Sequence, residues 1–212
     1  MKNNRELKRR ILDISLKYNK AHISSSIIAV DTIDYIYRTK KSNEPFILSS
    51  GCAGLALYVV LEKYEKKDAE VLFKKYGTYP QRDLNNGIYC SVGSLGHGIG
   101  IALGMAYADR DRSVYCMITD GECAEGSVWE ALRIATELKL KNLKLYLIAN
   151  GYSAYKTVDI PVLEKRLRAF TAHDGPRLKI IRVICELPHL KGVQGRYKYL
   201  TAQEYQDVID AL

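Results

Sequence analysis

Asp120 and Asn150 carry side-chain oxygens at places where they could act together. Each directly follows a buried-looking apolar run: Ser113-Val114-Tyr115-Cys116-Met117-Ile118 leads to Thr119-Asp120-Gly121-Glu122, and Leu145-Tyr146-Leu147-Ile148-Ala149 leads to Asn150-Gly151-Tyr152. Their separation of 30 positions suits passage from one parallel strand end to the next through a helix. Neighbouring parallel strands lie ~4.8 Å apart, so the two oxygens could converge on one point. A carboxylate, an amide oxygen and a main-chain carbonyl are hard donors that suit Mg²⁺, which completes its octahedron with water and phosphate oxygens. Gly121 permits close approach of the chain, and the helix that follows offers its positive end to an anion. The chemistry in view is capture of a diphosphate through Mg²⁺. Read singly, Asp120-Gly121 and Asn150-Gly151 are also ordinary turn dipeptides.

A second constellation runs Gly93-Ser94-Leu95-Gly96-His97-Gly98-Ile99-Gly100-Ile101-Ala102-Leu103-Gly104. Gly96, Gly100 and Gly104 fall four apart on one helical face, where another backbone could pack closely. Each glycine inside a helix costs about 1 kcal/mol relative to Ala, so three together need a compensating reason. A dinucleotide fingerprint fails, because the sixth position is Ile101 counted from Gly96 and Leu103 counted from Gly98. No buried strand precedes the segment either. Tight helix packing, inside the subunit or between subunits, is the alternative to a ligand role.

Positioning these residues requires alternating strands and helices. Leu7, Ile11, Ile14 and Tyr18 fall at helical spacing over residues 5–19. A second helix carrying Ile28, Ile33, Ile36 and Tyr37 follows His22-Ile23-Ser24-Ser25-Ser26, with the serines available as caps. Phe46-Ile47-Leu48 reads as a short strand and residues 52–64 as helix. Turn chemistry marks Tyr79-Pro80 to Asn85-Asn86-Gly87. Beyond it the pattern predicts helix over about 94–108, strand 113–118, helix 126–138, strand 144–149, helix 160–170, strand 179–185 and a final helix from Thr201. The fold class is therefore α/β, a parallel β-sheet flanked by helices, in a single domain over residues 1–212. Ligands of such sheets bind outside the carboxyl ends of the strands, where Asp120 and Asn150 stand.

Composition excludes classes rather than naming a function. The 212 residues are 47% hydrophobic and 26% charged, as in ordinary globular proteins. No apolar run approaches the ~18 residues needed to span a bilayer, so no membrane partner is expected. Five cysteines, Cys52, Cys90, Cys116, Cys123 and Cys185, form no CxxC pair and argue against a disulfide framework or zinc knuckle. With no export signal after Met1-Lys2-Asn3-Asn4-Arg5, a reducing cytoplasm is the expected location. The net charge of +8 comes largely from scattered Lys and Arg. Such pairs belong on solvated helix faces, and no basic-aromatic module points to nucleic acid.

Taken together, five collinear segments resemble the transketolase family. They are Ala21-His22-Ile23-Ser24-Ser25, Leu48-Ser49-Ser50-Gly51-Cys52-Ala53-Gly54-Leu55-Ala56-Leu57-Tyr58, Gly93-Ser94-Leu95-Gly96-His97-Gly98, Asp120-Gly121-Glu122-Cys123-Ala124-Glu125-Gly126-Ser127-Val128-Trp129-Glu130, and Leu143 to Asn150-Gly151. The chain is similar to the amino-terminal half that split transketolases carry as a separate polypeptide. The resemblance implies a thiamine diphosphate-binding fold of the diphosphate-binding type, lacking one strand-helix unit after Phe170. It implies that Asp120, Asn150 and the carbonyl of Tyr152 bind Mg²⁺ on thiamine diphosphate, that Gly121 lies against the diphosphate, and that Gly93 and Leu95 border the aminopyrimidine. His22 matches a histidine that faces substrate near the thiazolium. Glu125 and Glu130 match acidic residues at the subunit interface.

Departures from the family pattern bear on substrate. Cys52 and Tyr79 stand where histidines are expected, His97 replaces a glutamine, Thr119 replaces a glycine, and Arg196 falls about where another histidine would be. The family's activating glutamate lies on a pyrimidine-binding domain that this chain does not contain. The expected function is thus two-carbon ketol transfer between sugars or sugar phosphates, in a hetero-oligomer with a carboxyl-terminal, transketolase-like partner subunit. The departures leave two alternatives: a divergent carboligase acting on an unusual or nucleotide-linked sugar, and a non-catalytic scaffold or regulatory subunit of the same fold.

Overall fold

Short apolar runs separated by amphipathic ones become strands and helices in the computed structural model, which describes residues 4–154, 156–171 and 175–212. In chain order the elements are α1 (Arg5–Lys17), α2 (Ile23–Thr39), β1 (Phe46–Leu48), α3 (Gly54–Glu65), α4 (Ala69–Tyr76), α5 (His97–Ala108), β2 (Val114–Thr119), α6 (Gly126–Glu137), β3 (Leu143–Ala149), α7 (Ile160–Phe170), β4 (Arg177–Arg182), α8 (Gly192–Arg196) and α9 (Ala202–Asp210). Among the described residues, no helix is long and apolar enough to cross a membrane. The chain divides into two compact units: Lys40–Gly51 with Gln81–Val183, and Met1–Thr39 with Cys52–Pro80 and Ile184–Leu212.

The first unit holds a four-stranded sheet in the order β1-β2-β3-β4, every pair parallel. Alternation within the strands decides which side chains face the helices. Val114, Cys116 and Ile118 of β2 share a core with Leu143, Leu145, Leu147 and Ala149 of β3, and with Ile99, Ala102, Val128, Leu132 and Leu167 from α5, α6 and α7. On the opposite face Met117 and Ile148 are also buried, so the central strands read as nearly continuous apolar runs. β4 is one edge, with Arg177, Lys179 and Arg182 along it, charges that discourage further strand pairing. It ends at Arg182, opposite Ala149, rather than at the expected 185, because its ladder partner β3 ends there.

The second unit is helical. Ile11 and Ile14 of α1, Ile23, Ile33 and Ile36 of α2, and Leu55, Val59 and Leu61 of α3 are among its buried side chains. The helix α2 begins at Ile23, ahead of the serines expected to cap it. Ser24 and Ser26 lie buried within its first turns, where small side chains admit close packing. Two helices are additional to the sequence reading. In α4, Asp68 caps the amino end by accepting from Glu70 and Val71 N–H. In α8, five residues are too few to show a period.

Candidate functional site

Parallel pairing carries β2 and β3 out of the sheet side by side, with Thr119 opposite Ile148. The ladder extends one residue further, Asp120 N–H donating to Ile148 O at 3.0 Å. The Asp120 carboxylate is thereby aimed at the chain leaving β3: Oδ2 accepts the N–H groups of Asn150 at 3.0 Å and Gly151 at 2.6 Å. Oδ1 accepts from Gly121 N–H at 3.0 Å. The Asn150 side-chain oxygen accepts from Tyr152 N–H at 2.9 Å, folding the loop back on itself. Gly151 has φ +84°, a left-handed turn that suits glycine. A Cβ on Gly121 would stand 3.2 Å from both the Tyr152 carbonyl oxygen and the Ser153 Cα. The missing side chain is what lets the two loops meet.

The structure therefore brings Asp120, Gly121, Asn150 and the Tyr152 carbonyl into one cradle. Each of Asp120 Oδ1 and the Asn150 amide oxygen accepts one of these loop N–H bonds, and an sp² oxygen has a second acceptor direction. An all-oxygen donor set of carboxylate, amide and carbonyl around a glycine fits a hard cation with an anionic ligand beside it. A recess of about 380 Å³ also borders Asp120, but its walls are Trp129, Val162, Phe170 and their neighbours, and neither Gly121 nor Asn150 lines it.

The glycine-rich loop is tied to the cradle by Glu122, which no spacing argument singled out. Its fully buried carboxylate accepts from Ser49 O–H at 2.5 Å, Gly96 N–H at 3.1 Å and Thr119 N–H at 2.9 Å. Burial pushes the Glu122 carboxyl above the usual range, and these donors pull it back. Ser49 and Glu122 lie 73 residues apart, so only the fold reveals their pairing. Gly96 has φ +76° and sits against Ser127, whose hydroxyl donates to the Gly96 carbonyl at 3.0 Å. Exposed Gly93 and half-buried Leu95 are held at the mouth of this loop.

Within this chain, Gly100 and Gly104 make no close approach, so the packing alternative inside the subunit does not hold for them. A Cβ on either would meet nothing within 4 Å, whereas one on Gly98 would stand 2.6 Å from Ser49 Cα. Gly98 makes the close packing inside the unit. Gly100 and Gly104 instead share an exposed stripe with His97, Ile101 and Tyr107, the latter two 40% and 55% exposed. Glu125 is exposed at the start of α6. Glu130 is exposed as well, paired with Arg133 at 2.6 Å.

His22 belongs to the helical unit, just before α2. Its backbone is left-handed, φ +58°, and its N–H donates to the Arg196 carbonyl at 2.7 Å. The imidazole lies edge-on to Tyr197 and Tyr79, with ring centroids 5.3 and 6.5 Å away. Tyr79 reaches this position because Gly54 has no side chain: a Cβ there would stand 2.4 Å from Thr78 O and 2.7 Å from Pro80. Burial, with help from the positive charges of Lys20 and Arg196, lowers the His22 pKa. Lys20 carried no signal in the sequence. It is 4% exposed, and desolvation brings its pKa down to about 8, against an upward pull from Cys52.

A family model described as the thiamine diphosphate-binding domain of transketolase matches residues 32–179, a span that includes Asp120 and Asn150 but not His22. Human transketolase is 37% identical over 148 residues, 62% of this chain and 23% of the relative. One of the subunits of an apulose-4-phosphate transketolase from Phocaeicola vulgatus is 28% identical over 158 residues, 64% of this chain and 55% of the relative. The chain thus spans well under two thirds of either relative. Transketolase from Campylobacter jejuni superposes with a TM-score of 0.78 at 20% identity, covering 99% of this chain and 42% of that one, a likeness of fold.

Proposed function

The chain belongs to the transketolase family, and from that membership we propose that it is the thiamine diphosphate- and Mg²⁺-binding subunit of a split, transketolase-like enzyme transferring a two-carbon ketol unit between sugars. The observation that carries the proposal is the Asp120 carboxylate holding the Asn150 and Gly151 N–H groups while Gly121 lies against the Tyr152 carbonyl. Asp120, the Asn150 amide oxygen and the Tyr152 carbonyl would hold Mg²⁺. Gly121 would lie against the diphosphate, and Gly93 and Leu95 would border the aminopyrimidine. When bound, thiamine diphosphate supplies the electron sink that ketol transfer requires.

His22 is assigned to the substrate. Its lowered pKa keeps the imidazole neutral at pH 7, so a ring nitrogen can accept the proton of a sugar hydroxyl. The P. vulgatus relative is named as one component of a multi-chain transketolase, which supports a partner chain here; that partner would supply the pyrimidine-binding domain, in a cytoplasmic hetero-oligomer. Cys52 and Tyr79 favour a second reading within the same chemistry, a carboligase for an unusual sugar, because they replace imidazoles beside His22 with a thiol and a phenol.

Cofactor binding tests the proposal directly. Quenching of Trp129, the only tryptophan, should report Mg²⁺-dependent binding of thiamine diphosphate by the full chain with its partner. Asp120→Ala should abolish it. Absence of binding by the wild-type pair would leave the non-catalytic scaffold as the correct reading.

A further inference from the structure

Lys20 is a buried ammonium group whose counter-charge is missing. Among the described residues, its Nζ donates to the neighbouring Ala21 carbonyl at 2.7 Å and meets no carboxylate. Burying an unpaired charge is costly, and such groups are ordinarily paired or neutralised. Two residues on, His22 Nδ1 is buried with no hydrogen-bond partner. His22 is also held at φ +58°, a conformation that a non-glycine residue keeps only where its surroundings enforce it. Here the enforcing contact is the 2.7 Å bond to the Arg196 carbonyl. A charge without a carboxylate partner and an unpartnered ring nitrogen thus lie two residues apart on one short, strained segment.

The rim of this segment is open and amphipathic. Tyr79 and Tyr197 are 44% and 51% exposed, with Cys52 half-buried among them. The groups facing His22 electrostatically are Lys20 and Arg196, both positive, while Cys52 acts on Lys20 and on Tyr79. No acid belongs to the set. A buried Lys20 and a half-buried Arg196 acting on His22, with tyrosine rings at its edge, suit a small anion with polar substituents rather than a cation.

We infer that the Lys20–His22 segment is an oxyanion-binding recess that takes a carboxylate or phosphate group of the substrate, with Lys20 as the counter-charge and His22 as a second hydrogen-bonding partner. Lys20 is then a specificity-determining residue that selects acidic over neutral sugars. Calling the anion a substrate rests on the function proposed above; the recess itself does not.

The test is a titration of the His22 imidazole by NMR in the full chain, its resonance assigned by loss in His22→Gln. Glycerate, glycerol 3-phosphate and neutral glycerol are the probes. A bound anion should raise the His22 titration midpoint by about one pH unit. Glycerol should leave it unchanged. A response to glycerate alone identifies a carboxylate as the preferred group, and a response to glycerol 3-phosphate alone a phosphate. Lys20→Met should abolish the response while Lys20→Arg keeps it. No response to either anion, or an equal response in Lys20→Met, overturns the inference. Trp129 quenching by thiamine diphosphate with Mg²⁺, measured with the partner present, separates the two readings. Cofactor binding without an anion response sinks the recess alone, and the reverse sinks the proposed function alone.

Discussion

Lys20 and Glu122 show what a single buried charge does in this fold. The Lys20 pKa falls from 10.5 to about 8 on burial, so folding disfavours its charged form. Below pH 8 it is protonated in both states, and the cost is fully present. Between about pH 8 and 10.5 the unfolded chain keeps the proton that the folded one releases, so stability rises with pH across that window. Replacing the ammonium with an apolar side chain of similar length removes the cost. Lys20→Met should be more stable than wild type by about 3 kcal/mol at pH 7, with the gap narrowing by pH 10 in urea unfolding. Glu122 is the opposite case, a buried acid with its donors in place. Glu122→Gln would set an amide N–H against the donors of Ser49, Gly96 and Thr119, costing ~1–3 kcal/mol. Calorimetric melting would register the loss.

At the scale of elements, α5 has two kinds of glycine that the sequence does not separate. Gly98 faces Ser49, and Gly98→Ala places a methyl 2.6 Å from a backbone atom; overpacking of that kind costs about 1–3 kcal/mol. Gly100 and Gly104 face open space, so Gly104→Ala should stabilise the isolated chain by about 1 kcal/mol through helix propensity. Packing between subunits, one of the two roles open to the glycine spacing, would use the exposed stripe of Gly100 and Gly104 with His97, Ile101 and Tyr107. If so, Gly104→Ala should weaken assembly by roughly tenfold, equivalent to about 1.4 kcal/mol, even as it raises the melting temperature. Paired thermal melts and sedimentation would read the two effects, and unchanged assembly would remove α5 from the interface.

The chain spans 23% of human transketolase and 55% of the P. vulgatus relative. In isolation it should transfer no ketol unit from xylulose 5-phosphate or from an acidic ketose. Addition of a pyrimidine-binding partner, Mg²⁺ and thiamine diphosphate should restore turnover, followed by product chromatography. Turnover by the isolated chain would refute the split-site proposal.

Local pattern alone determined the alternation of strands and helices, the α/β class, and the placement of Asp120 and Asn150 at two strand ends. These features follow from apolar periodicity and turn chemistry, which act over a few residues. The five collinear motifs likewise pointed to the family without any knowledge of the fold. Only tertiary structure decided that Glu122 meets Ser49 across 73 residues, that Gly98 rather than Gly104 is the packed glycine, and that Lys20 is buried. Hydrogen-bond partners and burial depend on which surfaces the fold presses together, and a lysine or a glycine has the same sequence signature on either side of that division.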